Sequence, residues 1–260
     1  MHTISFIGSG NLAWHLAPAF DNAGFIVKEV FSPNTRHAEE LTERLYQAEV
    51  KATLDFSTSD SSIFIIAAND DSISDIAKEI ILPDDAVLTH TSGSVPLTDL
   101  QFAATSNIGV FYPLQTFSKS KKIDFKQTPI FIESNNEQTE SVLMTLAKAI
   151  SNQVKQIGSE ERKALHIAAV FASNFTNHML TLSQKIMLQN GMEFDWLKPL
   201  IIETINKSLQ VGPESAQTGP ARRGDLETLE KHMAFLQSDP DLSEVYKIIS
   251  QHIINLYHED

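Results

Sequence analysis

The chain has 260 residues, with 33 acidic against 20 basic side chains and a formal net charge of −13. This charge repels phosphate backbones and anionic lipids, so neither nucleic acid nor a membrane is an expected partner. The sequence contains no cysteine, which excludes disulfides, iron–sulfur clusters and cysteine nucleophiles, and we expect no metal site.

Length and hydrophobic content predict two globular domains. With 42% hydrophobic residues, the chain exceeds the usual size of a single core. The first residues, Met1–Ile7, lack the basic region of a signal peptide, and no segment approaches the roughly 18 apolar residues of a membrane helix. We therefore expect a cytoplasmic protein.

Residues 1–157 alternate short β-branched segments with amphipathic ones. The predicted strands are Thr3–Ile7, Phe25–Ser32, Ser62–Ala68, Ala86–Thr91, Ile108–Phe111, Ile130–Glu133 and Gln153–Ile157, and the predicted helices are Leu12–Asn22, Thr35–Gln47, Ile73–Ile81 and Glu137–Ile150. This order predicts an α/β domain with a doubly wound, mostly parallel Rossmann sheet.

Residues 158–260 show no strand pattern and are predicted to form an all-helical substrate and dimerisation domain. Ser159 is the predicted N-cap of a helix that runs to Asn190, with Gly191 as its stop. This helix would extend about 48 Å, so we expect it to pack against a second subunit of a homodimer. Further helices are predicted at Asp195–Leu209, Leu226–Leu236 and Leu242–Tyr257. A loop at Val211–Asp225 separates the first of these helices from the second.

A glycine-rich turn directly follows the first predicted strand and opens the first helix. Gly8 permits a tight turn, Gly10 lets a diphosphate approach the backbone, and Ala13 allows close packing of helix on strand. The helix N-terminus offers unpaired N–H groups to phosphates. The predicted cofactor residues here are Gly8, Ser9, Gly10, Asn11 and Leu12; the alternative is a turn that uses glycine for geometry alone.

The end of the second predicted strand favours NADP over NAD. Glu29 has the spacing of the acid that binds the ribose of NAD, but two apolar residues continue the strand beyond it. The next segment has no acid and ends in a guanidinium suited to a 2′-phosphate. Its predicted contacts are Ser32, Asn34, Thr35 and Arg36, with a solvated Arg36 as the alternative.

Small and hydroxylic residues end two further strands, where they would line the crevice at the carboxyl edge of the sheet. The predicted cofactor contacts in these segments are Ala68, Asn69, Thr91, Ser92 and Gly93. In the same segments, Ser94 and Asp70 could equally well serve only in ordinary turns and helix caps and not line the crevice.

The long helix carries a polar stripe. A helical wheel places Lys163, His166 and Asn174 on one face, together with Asn177 and His178, and the rest of the helix is apolar enough to be buried on most sides. His166 could then act as a general acid, Asn174 could orient the substrate and Lys163 could hold an anion. The alternative is a buried structural network.

The loop before the penultimate predicted helix concentrates glycine, proline and two arginines. Arg222 or Arg223 could clamp a carboxylate or phosphate, and Asp225 is the predicted N-cap of the next helix. We include Arg222 and Asp225 among the catalytic candidates. The alternative is a loop that is only rigid, with Asp225 as a cap.

Several segments together carry a family resemblance that spans nearly the whole chain: Gly8–Asn11, His90–Ser94, Tyr112–Phe117, His166–Asn174 and Thr218–Asp225. On these residues the chain resembles a bacterial family of Rossmann-like proteins named as NADP oxidoreductases, which have a helical C-terminal domain of unknown function. More distantly, its layout is similar to pyrroline-5-carboxylate reductases, deazaflavin-dependent NADP reductases and β-hydroxyacid dehydrogenases.

The resemblance implies an NADP-binding domain, a helical dimerisation domain and an active site in the cleft between them. The β-hydroxyacid enzymes place a lysine and an asparagine one turn apart on the first interdomain helix, whereas Lys163 here is followed one turn later by Ile167. Their mechanism is therefore not implied.

We accordingly expect an NADP-dependent oxidoreductase that transfers a hydride between the nicotinamide and a small carbonyl or imine substrate. The alternative is a dinucleotide-binding sensor without turnover.

Overall fold

A computed structural model describes residues 2–258 and contains one eight-stranded sheet. The strands are β1 Thr3–Ile7, β2 Ile26–Phe31, β3 Glu49–Lys51, β4 Ile63–Ile66, β5 Val87–His90, β6 Asn107–Pro113, β7 Ile130–Ser134 and β8 Val154–Gln156. Their order is β3-β2-β1-β4-β5-β6-β7-β8, and every neighbouring pair is parallel except β6 with β7. The mostly parallel Rossmann sheet is confirmed, while β3, whose first two residues are exposed and whose third is half-buried, was not predicted.

Helices cover both faces of this sheet: α1 Asn11–Asn22, α2 Thr35–Thr42, α3 Asp70–Glu79 and α4 Glu137–Ile150. Because strand side chains alternate, Ile4 and Phe6 of β1 pack in one buried cluster with residues of α1, α2 and α4, whereas Ile7 packs in another with residues of α3. With both faces filled, a ligand of this sheet is expected at its carboxyl edge, where ligands bind in open α/β sheets.

The remainder of the described chain is helical: α5 Ser159–Ala169, α6 Thr176–Gln189, α7 Lys198–Val211, α8 Pro213–Ala216, α9 Pro220–Arg223, α10 Leu226–Phe235 and α11 Pro240–His258. One compact unit ends at Asn174 and a second begins at Phe175, so α5 belongs with the sheet. No helix within residues 2–258 is long and apolar enough to cross a membrane.

Two local predictions in the helical part are wrong. The N-cap of α5 is Gly158, whose N–H donates to Glu161 Oε2 at 2.9 Å; Ser159 is the first helical residue, and its hydroxyl instead donates to Glu133 Oε1 at 2.6 Å. The predicted loop at 211–225 contains two short helices, α8 and α9, each of which begins with a proline that presets the helical φ angle.

The long helix also departs from its prediction. It runs from Ser159 to Gln189, but a π-helical turn at Val170–Phe175 interrupts it. Within one chain it is not buried on most sides: Phe171 and Phe175 are exposed, and Met187 is the only buried residue of α6. The apolar residues of this helix therefore include side chains that stay exposed within a single chain.

Candidate functional site

The glycine-rich turn is built around a position that only glycine can occupy. Gly8 has φ of +112°, and a Cβ there would lie 2.3 Å from the carbonyl oxygen of Ala67. Its N–H donates to the carbonyl of Phe31 at 2.8 Å. The turn therefore fixes the ends of β1, β2 and β4 against one another.

Two residues later, Gly10 leaves open space. Gly10 is the N-cap of α1 with no side-chain cap, and a Cβ built on it would meet nothing within 4 Å. The first-turn N–H groups of a helix are good donors to an anion when no side chain caps them. This cradle fits a diphosphate, and it includes the predicted contacts Ser9, Asn11 and Leu12.

Glu29 is engaged inside the sheet. Its Oε2 accepts a hydrogen bond from the Ser5 hydroxyl at 2.8 Å and another from Ser59, while Lys51 lies 3.5 Å from Oε1. A carboxylate held in this way is not presented at the carboxyl edge. This agrees with the choice of the next segment for the ribose.

That segment, Ser32–Arg36, follows β2 and enters α2. Asn34 is the N-cap of α2 without a side-chain cap bond, and Thr35 is exposed. The side chain of Arg36 is 82% exposed and pairs with Glu40 at 3.3 Å. Arg36 is therefore free to approach a ligand on its solvent side.

The ends of β4 and β5 lie next to the glycine turn. The N–H of Ala67 donates to the carbonyl of Ile7 at 2.7 Å, and the N–H of Thr91 donates to the carbonyl of Ile66 at 3.1 Å. Ala68 and Asn69 follow β4, with Asn69 as the N-cap of α3. The structure thus brings all four predicted cofactor segments to one edge of the sheet.

The turn after β5 is hydrogen-bonded by the buried Arg162 of α5. Arg162 donates to the carbonyls of Ser92 and Val95 at 3.0 and 2.8 Å and pairs with Glu133 at 2.9 Å. The Ser92 hydroxyl accepts hydrogen bonds from the N–H groups of Ser94 and Val95. The backbone of this turn is therefore fixed by charge-assisted bonds to an ion pair.

His166 meets Tyr112 over Gly93. The Tyr112 hydroxyl lies 3.0 Å from His166 Nδ1, and a Cβ on Gly93 would come within 2.5 Å of the same nitrogen and 2.7 Å of the tyrosine ring. A glycine is thus required for the approach of these two rings. The pair lies next to predicted cofactor residues, as a proton-transfer group must.

Burial shifts two pKa values near this pair. Burial raises the pKa of the Tyr112 phenol above its usual value, so the phenol keeps its proton near neutral pH. Burial also lowers the pKa of His90 to about 3, with the positive charge of Arg162 acting in the same direction. His90 Nδ1 accepts from the Ser92 N–H at 3.1 Å, which marks it as a structural group held neutral.

The other polar residues of the predicted stripe are not gathered around His166. Lys163, Asn174, Asn177 and His178 are exposed, and the π-helical turn at Val170–Phe175 lies between the first of them and the last two. A wheel that assumes α-helical geometry throughout fails across such a turn, because each π turn contains an additional residue.

Arg222 and Asp225 belong to the second unit. The Asp225 side chain accepts from the N–H of Thr228 at 3.1 Å, so its predicted role as an N-cap is confirmed. Its hydrogen bonds to Thr228 lower the pKa of this carboxyl. The guanidinium of Arg222 stacks on the Tyr257 ring at 4.1 Å. Catalytic roles for both residues stay predictions.

Sequence reasoning missed Tyr112 and Arg162 as site residues. Tyr112 follows the predicted strand Ile108–Phe111, so the rule used for the ends of β4 and β5 would have found it. Arg162 lies one position before Lys163, next to the polar stripe. Among the described residues, no group of three or more histidine, aspartate or glutamate side chains could hold a metal ion.

Comparison with known proteins places this geometry in context. A domain of unknown function, DUF2520, matches residues 128–253. A putative NADP oxidoreductase from Bacteroides fragilis is 36% identical, with 98% of both chains covered and a TM-score of 0.89. No curated protein matches the chain.

Two more distant structures share the fold. A reductive aminase from Aspergillus terreus, solved with NADPH and ethyl levulinate, is 14% identical over 100% of this chain and 96% of its own, with a TM-score of 0.76. A pyrroline carboxylate reductase from Plasmodium falciparum, solved with NADP, is 16% identical over 97% and 98%, with a TM-score of 0.58. The expected resemblance is confirmed, and the chain belongs to the family of the Bacteroides fragilis protein. The DUF2520 match begins within the sheet, since it includes β7, α4 and β8, and it continues through most of the helical region.

Proposed function

We propose that this protein is an NADP-dependent oxidoreductase that transfers a hydride between the nicotinamide and a small carbonyl or imine substrate. The observation that carries the proposal is the turn at Gly8 and Gly10, which is sterically closed on the sheet side and open on the other. The name of the Bacteroides fragilis relative supports it, as do the NADPH and the keto ester with which the reductive aminase was solved.

The residues that would hold the cofactor are those gathered at the carboxyl edge. The uncapped N-terminus of α1 would bind the diphosphate, and Arg36 would bind the ribose 2′-phosphate. Thr91–Gly93 and Ala68–Asn69 would contact the remainder. When bound, NADP supplies or accepts the hydride, and the protein supplies orientation and proton transfer.

Tyr112 and His166 would handle the proton. Because burial keeps Tyr112 protonated, its hydroxyl can donate to His166 Nδ1 at 3.0 Å. With Nδ1 accepting this bond, a proton on His166 Nε2 would pass to a substrate oxygen or nitrogen while the Tyr112 proton moves to Nδ1, and the phenolate would regain a proton from solvent. The proposed roles of Asn174, Lys163, Arg222 and Asp225, and a substrate between the two domains, rest on the sequence and its resemblance.

The working unit in this proposal is a homodimer formed through the helical region. Helix α7 has no buried residue, and Ile202, Ile205 and Leu209, which share one face of it, are all exposed. Apolar surface of this extent marks an interaction site, and a second copy of a soluble enzyme is the simplest partner. A cytoplasmic location stays a prediction of the sequence.

A matched pair of glycine variants tests the cofactor site. Gly10→Ala places a methyl group in the open cradle without touching protein atoms, so its thermal unfolding should match that of the wild type while NADPH binding weakens at least about tenfold. Gly8→Ala should both weaken NADPH binding and lower the unfolding temperature, because its Cβ would lie 2.3 Å from the carbonyl oxygen of Ala67. Calorimetry with NADPH that finds equal affinity in wild type and Gly10→Ala would overturn the assignment.

Turnover is tested by NADPH oxidation over a panel of small carbonyl and imine substrates. His166→Ala should reduce kcat by about 100-fold, and Tyr112→Phe by less, because it removes only the partner of the imidazole. Tight NADPH binding without turnover of any substrate would favour a sensor.

A further inference from the structure

The segment after β6 lies against the helix that follows the glycine turn. The carbonyl of Ser118 lies 2.8 Å from His15 Nε2, and the rings of His15 and Phe117 are 6.1 Å apart. The ammonium of Lys119 lies 4.3 Å from the centre of the Trp14 ring. Three contacts with α1 therefore place Lys119 one turn beyond the proposed diphosphate site.

Lys119 also reaches α2. Its Nζ lies 3.5 Å from Glu40 Oε2, and Arg36 Nε lies 3.3 Å from Oε1 of the same carboxylate. Two cations from different segments thus share one anion, and only the width of a carboxylate separates their contact points. Phosphate oxygens have a similar spacing, so a phosphate could contact both cations in the same way.

We propose that Lys119 is the second cation of the 2′-phosphate site and that it sets the preference for NADP over NAD together with Arg36. This inference rests on the proposed function. Glu40 would hold both side chains near the site until the phosphate takes over their contacts.

The charges and exposures support this exchange. The side chains of Arg36, Glu40 and Lys119 are 82%, 39% and 35% exposed, so the present ion pairs are weak and can be exchanged. A 2′-phosphate carries more charge than a carboxylate and offers three oxygens, which favours it over Glu40.

The test uses two small probes that differ by the phosphate alone, adenosine 2′,5′-bisphosphate and adenosine 5′-monophosphate. Calorimetry on the full-length protein should show that Lys119→Ala weakens binding of the bisphosphate about tenfold and leaves the affinity for the monophosphate unchanged. Lys119→Arg, which keeps the positive charge, should retain most of the wild-type preference for the bisphosphate over the monophosphate. Lys121→Ala, on the same exposed segment, is the matched control and should change neither affinity.

The outcomes separate this inference from the proposed function. If the wild type prefers the bisphosphate and Lys119→Ala keeps that preference, Lys119 is not part of the site, while the enzyme assignment stands. If Lys119→Ala weakens both probes equally, its role is structural packing on Trp14 and the inference is wrong. If the wild type binds neither probe nor NADPH, the inference and the proposed function fail together. The unfolding temperature of each variant would be measured to check that the variant is folded.

Discussion

The two compact units of this chain differ in how they bury apolar surface. In the first, helices cover both faces of the sheet, and Phe6, Phe64 and Phe111 are completely buried. In the second, Leu209 is 81% exposed, and α7 has no buried residue. The sheet of the first unit therefore has a filled core on both faces, whereas α7 of the second unit leaves its apolar side chains exposed.

The difference extends to chemistry. The sterically closed glycine turn, the His166–Tyr112 pair and the buried Arg162 all belong to the unit that ends at Asn174. Groups that hold a ligand or a proton need a rigid support, and a filled core provides it. The groups proposed for cofactor binding and proton transfer thus lie in the first unit, and α7, whose apolar side chains are exposed, lies in the second.

The largest expected effect comes from breaking the buried ion pair of the first unit. Arg162→Ala would leave Glu133 without its partner and two carbonyls of the Ser92–Val95 turn without a donor. We expect a loss of about 3–5 kcal/mol in the free energy of unfolding. Chemical denaturation measures this loss. Lys163→Ala, the exposed neighbour, should stay within about 0.5 kcal/mol, and equal losses in both variants would contradict the support assigned to Arg162.

The next effect should appear in the second unit as assembly rather than stability. Leu209→Asp places a charge on the exposed apolar face of α7 and should weaken the dimer by about 2 kcal/mol, or roughly 30-fold in its dissociation constant. Sedimentation over a concentration series would show the shift from dimer to monomer. Glu203→Gln, at an exposed position on a different face of the same helix, is the control. A wild type that remains monomeric at micromolar concentration would refute the dimer.

The third effect is absent at neutral pH and appears only as the pH falls. Folded His90 has a pKa of about 3, below the 6.5 of an unperturbed histidine, so the unfolded chain binds the proton first as pH falls. Its contribution to stability is therefore present above pH 6.5 and is lost between 6.5 and about 3, with a limiting slope of about 1.4 kcal/mol per pH unit. His90→Asn keeps an acceptor for the Ser92 N–H and should flatten the curve in that range. Parallel curves for both proteins would remove His90 as the cause.

Local pattern was sufficient for most of the sheet, and it failed where distant residues decide. Alternating segments gave every strand except β3, a three-residue strand that exists through its pairing with β2. The polar stripe of the long helix identified His166, but the π-helical turn at Val170–Phe175 removed the common face for Asn177 and His178. No local pattern announces such a turn.

The sequence by itself determined the Rossmann topology and the position of the glycine turn, because strand periodicity, glycine spacing and helix start signals are local properties of the chain. Tertiary structure alone decided that Tyr112 meets His166 over Gly93, that Arg162 is buried beneath the turn after β5, and that Arg36 and Lys119 share Glu40. These contacts join residues from separate elements, and their geometry follows from how helices pack on the sheet, which no single segment encodes.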